Sequence, residues 1–242
     1  MMNKLKFLGR GSGYNVREGN TSAYINKNNI LILIDCGEGV FKRIIESNLT
    51  NNIKEIHILI THMHGDHVGS LSSFVGFCFW KYHICCNVYY PEKSRLKQFL
   101  ELTGMLEGES FIINDSNSVR IDKLGLEFSA SLTKHNKRIN TYSYTLKFDE
   151  ENDIFYSSDT YETNFDMIPF LKEGNVVYHD TCLSDGEGNV HTSLRVLCEK
   201  VPRELRSNVY CIHIDGDNFI EIVEREGFNV PHILIKQLSV ER

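Results

Sequence analysis

The stretch "THMHGDH", residues 61–67, crowds three histidines and an aspartate into six positions: His62, His64, Asp66 and His67. It follows the apolar run "EIHILI" (55–60), which reads as a strand. In extended backbone, side chains two apart point to the same side. His62 and His64 therefore suit one shared cation. Gly65 lets the chain turn, and the adjacent Asp66 and His67 then address a second one. Imidazole serves Zn²⁺, Fe and Mn, and a neighbouring carboxylate widens the choice. So many clustered imidazoles would be costly to bury without a cation. The loop supplies only part of what two ions need, so further donors must come from elsewhere in the chain.

The same kind of ending recurs. "IDCG" (34–37), "LTKH" (132–135), "YSSD" (156–159), "YHD" (178–180) and "CIHID" (211–215) each close an apolar run with His or Asp. Strands deliver residues to an edge with good positional control, so these endings predict one polar site at one rim. His135, Asp159 and His213 are the further candidate ligands. His57 lies inside a strand, and His83 and His232 lack partners, so all three read as structural.

The whole chain has 242 residues, 41% apolar and 24% charged, as expected of an ordinary globular protein. With four prolines, no linker and no repeat, it reads as one domain over 1–242. Ten short apolar runs read as strands and five stretches as helices. Many strands precede any regular βα alternation, which favours two sheets covered by helices. "ILILI" (30–34) is too short to span a bilayer, and "MMNKLKFLGRGSG" (1–13) reads as a strand entering a turn rather than a signal peptide. A cytoplasmic location is expected, the host cytoplasm if the chain is viral. The seven cysteines are odd in number and show no zinc-finger spacing, so reduced thiols are expected. The pair Cys85-Cys86 is the one weighed as a ligand or redox site. A net charge of −6 with scattered basic residues disfavours a long nucleic acid. In the cluster "KHNKR" (134–138), Lys134, Lys137 and Arg138 are either phosphate contacts or solvated charge.

"HMHGDH" resembles the HxHxDH signature of the metallo-β-lactamase fold. "FLGRGSG" (7–13), "LIDCGEG" (33–39), "YSSDT" (156–160) and "CIHID" extend the likeness along the chain, and together they are most similar to its ribonuclease Z-like branch. The resemblance implies an αββα sandwich of two mixed sheets flanked by helices. It implies that His62, His64 and His135 hold one divalent ion and that Asp66, His67 and His213 hold another, with Asp159 bridging. Zn²⁺ is the first choice and Mn²⁺ the alternative. Asp35 would orient a ligand imidazole. A two-metal-activated hydroxide would attack phosphorus, with Asp66 orienting it. Relatives carry "HEAT" and "HST" segments that assist the leaving group; here "HDTC" and "HTS" offer Asp180 and His191 instead. The competing reading makes Asp180 a strand cap and His191 a cap of the helix "TSLRVLCEKV" (192–201).

The tRNA-maturing members insert a long arm between the third-motif histidine and the bridging aspartate. His135 and Asp159 are only 24 positions apart, which leaves no room for one. The compact phage and bacterial anti-Pycsar phosphodiesterases, homodimers that open cyclic UMP, CMP and AMP, are the closest resemblance. "FVGFCFWKYHICCNVYY" (74–90) would suit a dimer interface, a base-stacking wall, or a buried helix and strand. The rivals are a ribonuclease Z-type RNA 3′-end nuclease, a lactonase or thioesterase on the same fold, and a non-catalytic nucleotide-binding protein.

Overall fold

A computed structural model describes residues 5–186 and 188–233. Residues 1–4 of the predicted opening segment, Glu187 and the last nine residues of the predicted 1–242 domain lie outside it. The first sheet holds β1 (Lys6–Gly9), β2 (Ser22–Lys27), β3 (Ile30–Ile34), β4 (Glu55–Leu59), β5 (Cys86–Tyr89) and β6 (Phe111–Asn114), side by side in chain order. The β1–β2 and β2–β3 pairs are antiparallel, and the rest are parallel. Parallel neighbours need crossovers, made here by α1 (Val40–Glu46), by α2 (Gly65–Val68) with α3 (Leu71–Tyr82), and by α4 (Lys93–Leu102).

The second sheet holds β7 (Asn117–Ile121), β8 (Leu126–Asn136), β9 (Ile139–Phe148), β10 (Ile154–Tyr156), β11 (Val176–Asp180) and β12 (Val209–Ile212), again as neighbours in order. Its first four strands are antiparallel, while β10, β11 and β12 run parallel. The helices α5 (Met167–Lys172), α6 (Leu194–Lys200) and α7 (Phe219–Arg225) cover its outer face.

Alternation along the strands builds four layers. In "ILILI" all five residues are buried. Leu31 and Leu33 pack with Val40, Ile44, Phe74 and Leu96 under the helices; Ile30, Ile32 and Ile34 meet Phe128, Tyr144 and Tyr156 between the sheets. On the other side Ile154 and Tyr156 point inward, whereas Phe155 points out to Met167 and Leu171. A continuous apolar run is what a strand buried on both faces requires.

Four elements have no counterpart in the sequence reading: β6, β7, α5 and the single-turn α2, which the sequence presented as a glycine turn. The strands β6 and β7 are short edge strands, and each turns only two apolar residues inward, Phe111 and Ile113 in one and Val119 and Ile121 in the other, too brief an alternation to stand out in the sequence. Helix α5 contains Pro169, which reads as a breaker but sits in the first turn, where no intrahelical donor is lost; Asp166 caps it through Ile168 N at 3.2 Å. The aromatic segment 74–90 is α3 and β5. Phe74, Cys78 and Cys86 are buried, and Trp80 is 74% exposed. All seven cysteines are free thiols. No described helix is long and apolar enough to cross a membrane.

Candidate metal centre

The strands β3, β4, β8, β10, β11 and β12 deliver the site. The β3–β4 pair is parallel, as are β10, β11 and β12, and β8 shares the direction of β10 because two antiparallel steps separate them. Their C-terminal ends therefore lie at common edges. The loop after β4 is tied to the second sheet by Tyr142 N to Thr61 O (3.0 Å) and Tyr144 Oη to Ile60 O (3.0 Å).

The structure brings all seven predicted side chains together. His62, His64 and His135 form one group and Asp66, His67, Asp159 and His213 the other, each with its donor atoms within 4.8 Å of one another. Asp159 joins them. Its Oδ2 lies 3.8 Å from His62 Nε2 and 3.9 Å from His135 Nε2, and 3.4 and 3.3 Å from the Nε2 atoms of His67 and His213. Asp66 Oδ2 stands 3.4 Å from His67 Nε2 and 3.8 Å from His213 Nε2.

Outer contacts set which ring nitrogen faces inward. Asp35 is fully buried and accepts from Thr61 N (2.8 Å), Thr61 Oγ1 (2.7 Å) and His67 Nδ1 (2.8 Å). His67 thus donates at Nδ1 and turns Nε2 inward. Thr61 Oγ1, donating to Asp35, receives His62 Nδ1 at 3.0 Å, and His135 Nδ1 donates to Val190 O at 2.9 Å. Asp35, Ser158 and His213 all have φ near +60°. A residue with a Cβ pays roughly 1–2 kcal/mol for that left-handed conformation, and such outliers cluster at functional sites. Here each one turns the chain at the end of a strand.

Two observations fit this set to divalent cations. The buried Nε2 atoms of His67 and His213 have no hydrogen-bond partner. His62 Nε2 and His64 Nδ1 converge to 2.9 Å, so two inward lone pairs face each other unless a proton or cation lies beside them. Burial pushes His62, His64 and His135 below the usual histidine range. Burial also opposes charge on His67 and His213, but the surrounding carboxylates together, Asp159 with Asp35 around His67 and Asp159 with Asp66 and Asp180 around His213, push both up.

Asp180 ends β11, with Oδ2 accepting from Thr160 N (2.7 Å) and 2.7 Å from His191 Nδ1. Burial opposes charge on His191, yet Asp180 lifts it to about 9. Neither residue caps α6; Ser193 does, through Val196 N. The His191 ring lies 4.9 Å from the His135 ring and 4.5 Å from that of His213, between centroids. His179 is turned away, its Nδ1 on the Asp180 carbonyl. His57 is held by Tyr89 and Glu55, and none of His57, His83 and His232 joins a cluster.

The cluster floors a cavity of about 490 Å³. Neither Lys134, Lys137 nor Arg138 lines it, and Lys134 pairs with Glu162 at 2.7 Å. No residue of 74–90 lines it either, so that segment is not a base-stacking wall of this cavity. Two contributors had no distinct signal in the sequence: the Val190 carbonyl, a backbone atom, and Asn189, whose side chain organises the loop bearing His191.

The comparisons agree with this architecture. Over 94% of both chains, the structure superposes with TM-score 0.72 and 13% identity on the metallo-β-lactamase fold protein YhfI from Bacillus subtilis, so the fold is that one. The chain is 29% identical over 230 residues to the anti-Pycsar protein Apyc1 of Paenibacillus sp. (strain J14), covering 88% of this chain and 90% of that one. To the anti-Pycsar protein Apyc1 of Bacillus phage vB_BveM-Goe7 it is 27% identical, with 93% of each chain covered. The family model for anti-Pycsar protein Apyc1 matches residues 3–230. This chain belongs to the anti-Pycsar protein Apyc1 family.

Proposed function

We propose that this protein is a metal-dependent phosphodiesterase that opens a small 3′,5′-cyclic mononucleotide such as cUMP, cCMP or cAMP, and so counters cyclic-nucleotide antiphage signalling. The observation that carries the reading is Asp159 Oδ2, set 3.3–3.9 Å from imidazole nitrogens of both donor groups. In this reading His62, His64 and His135 hold one cation, and Asp66, His67 and His213 the other. Asp159 serves both. Zn²⁺ suits the imidazole-rich set best, with Mn²⁺ the alternative. Such cations would stabilise charge on the phosphoryl oxygens and draw a nucleophile from water. Asp66 orients the attacking water. His191, oriented by Asp180, gives its proton to the departing ribose oxygen.

The absence of lysine and arginine among the described cavity-lining residues supports a small, singly charged diester over RNA. A cavity of about 490 Å³ is of the size that encloses a small ligand. We also read the chain as a homodimer, which its mass in solution will test.

The deciding experiment is a panel of 3′,5′-cyclic nucleotides, with precursor tRNA run beside it, on the zinc-loaded wild type and a His64→Ala variant. Linear mononucleotide from the wild type and almost none from the variant is expected. Recovery of every cyclic nucleotide unchanged overturns the enzyme reading, and cleavage of precursor tRNA alone favours the RNA 3′-end nuclease.

A further inference from the structure

We infer that Asn189 is the positioning residue for the proton donor His191, an inference that rests on the phosphodiester chemistry proposed above. The described residues 183–186 and 188–191 lie between two contacts at one point of the fold, where Cys182 N donates to Thr192 O and Leu194 N to Cys182 O, both at 2.9 Å. The excursion between is rich in glycine, and Gly188 has φ +82° with open space around it, so its backbone is intrinsically free. His191 sits at the end of this excursion.

Asp215 holds the start of the excursion at Leu183 N, and Ser193 and Arg195 hold Asp185; the Asn189 carboxamide constrains the end that carries His191. Its Oδ1 accepts from His191 N at 3.1 Å, and its Nδ2 donates to Ser184 O at 3.0 Å and to Cys182 Sγ at 2.9 Å. Cys182 is only 3% exposed, with Sγ 3.2 Å from Ser184 O and 3.6 Å from Thr192 O. The amide thus ties the backbone of His191 to a buried thiol at the loop's root. Asp180 fixes the ring at Nδ1, and Asn189 fixes the backbone from which the ring hangs. The same loop carries the Val190 carbonyl that receives His135.

In the reaction a P–O bond to the oxygen of water forms while the bond to the ribose oxygen breaks. The departing oxygen takes the His191 proton, and the proton lost by water goes to solvent. A ribose alkoxide needs that proton, whereas p-nitrophenolate leaves without one. A donor misplaced by about 1 Å loses on the order of 100-fold in rate.

The test compares zinc-loaded wild type, Asn189→Ala, Cys182→Ala, His191→Ala and the Asn189→Ala/His191→Ala double variant on 3′,5′-cyclic AMP and on thymidine 5′-(p-nitrophenyl phosphate). Asn189→Ala is expected to lower kcat on cyclic AMP about 10- to 100-fold, with KM and the p-nitrophenyl reaction changed by less than about threefold. The double variant should be no slower than His191→Ala within about twofold, because the two act as a unit. Cys182→Ala, which removes the anchor and keeps the amide, should show the same selectivity at smaller size and carries the test if Asn189→Ala does not fold. Equal losses on both substrates, or none on either, overturn the role of Asn189 while His191→Ala still shows the selective pattern. A wild type inert on both substrates, or His191→Ala cutting both alike, overturns the proposed chemistry and this inference with it.

Discussion

Replacing Asp35 with Asn tests the cation reading without touching a candidate ligand. The carboxylate is fully buried and accepts three hydrogen bonds of 2.7–2.8 Å, from Thr61 N, Thr61 Oγ1 and His67 Nδ1. Asn has the same shape but only one acceptor oxygen. If that oxygen keeps Thr61 N, the new NH₂ faces His67 Nδ1, which must then accept and carry its proton on Nε2. The inward nitrogen is then blocked. Losing such an outer partner weakens metal affinity by about 10- to 100-fold. At a free zinc concentration of 100 times the wild-type Kd, binding stabilises the fold by about 2.7 kcal/mol. The variant would retain only about 0.4–1.4 kcal/mol. For a chain of this length each kcal/mol moves Tm by about 2–4 °C. The zinc-induced rise should therefore fall from about 5–11 °C to about 1–6 °C. Calorimetric zinc titration of metal-free protein, paired with thermal melts with and without zinc, reads both quantities. Asp35→Asn binding zinc as tightly as the wild type, with an undiminished Tm rise, would refute the tautomer argument.

Two further outcomes follow from packing and burial. Burial holds His57 below the usual histidine range against the pull of Glu55, so between the folded value and about 6.5 the unfolded chain binds more protons. Stability should fall as pH drops through that window, and the loss should shrink in His57→Gln; parallel Tm profiles from about pH 8 to about pH 5 would refute it. A Cβ at Gly37 would lie 1.9 Å from the Asp66 carbonyl oxygen, so Gly37→Ala must displace the ligand loop and lower zinc affinity more than about tenfold. Gly186→Ala, whose Cβ meets nothing nearer than 3.9 Å, is the control and should titrate like the wild type.

What this chain's sequence determined by itself is what local spacing encodes. "THMHGDH" carries its own geometry, two histidines on one side of extended chain and then a glycine turn, and "ILILI" announces a strand buried on both faces. The His or Asp ending of successive strands pointed to one rim because strand direction is a local property that parallel pairing turns into a shared edge. Only the tertiary structure decided how those endings meet. That Asp159 stands between two histidine groups depends on two sheets packing face to face. The positive φ at Asp35, Ser158 and His213 was not legible beforehand, since Asp and His only lean toward that region and most of them elsewhere do not adopt it. The edge strands β6 and β7 put only two apolar residues each on their inner face, too short an alternation to mark a strand in advance. Asn189 and the Val190 carbonyl acquire their roles from contacts across a loop, where neither periodicity nor residue type marks the partner in advance.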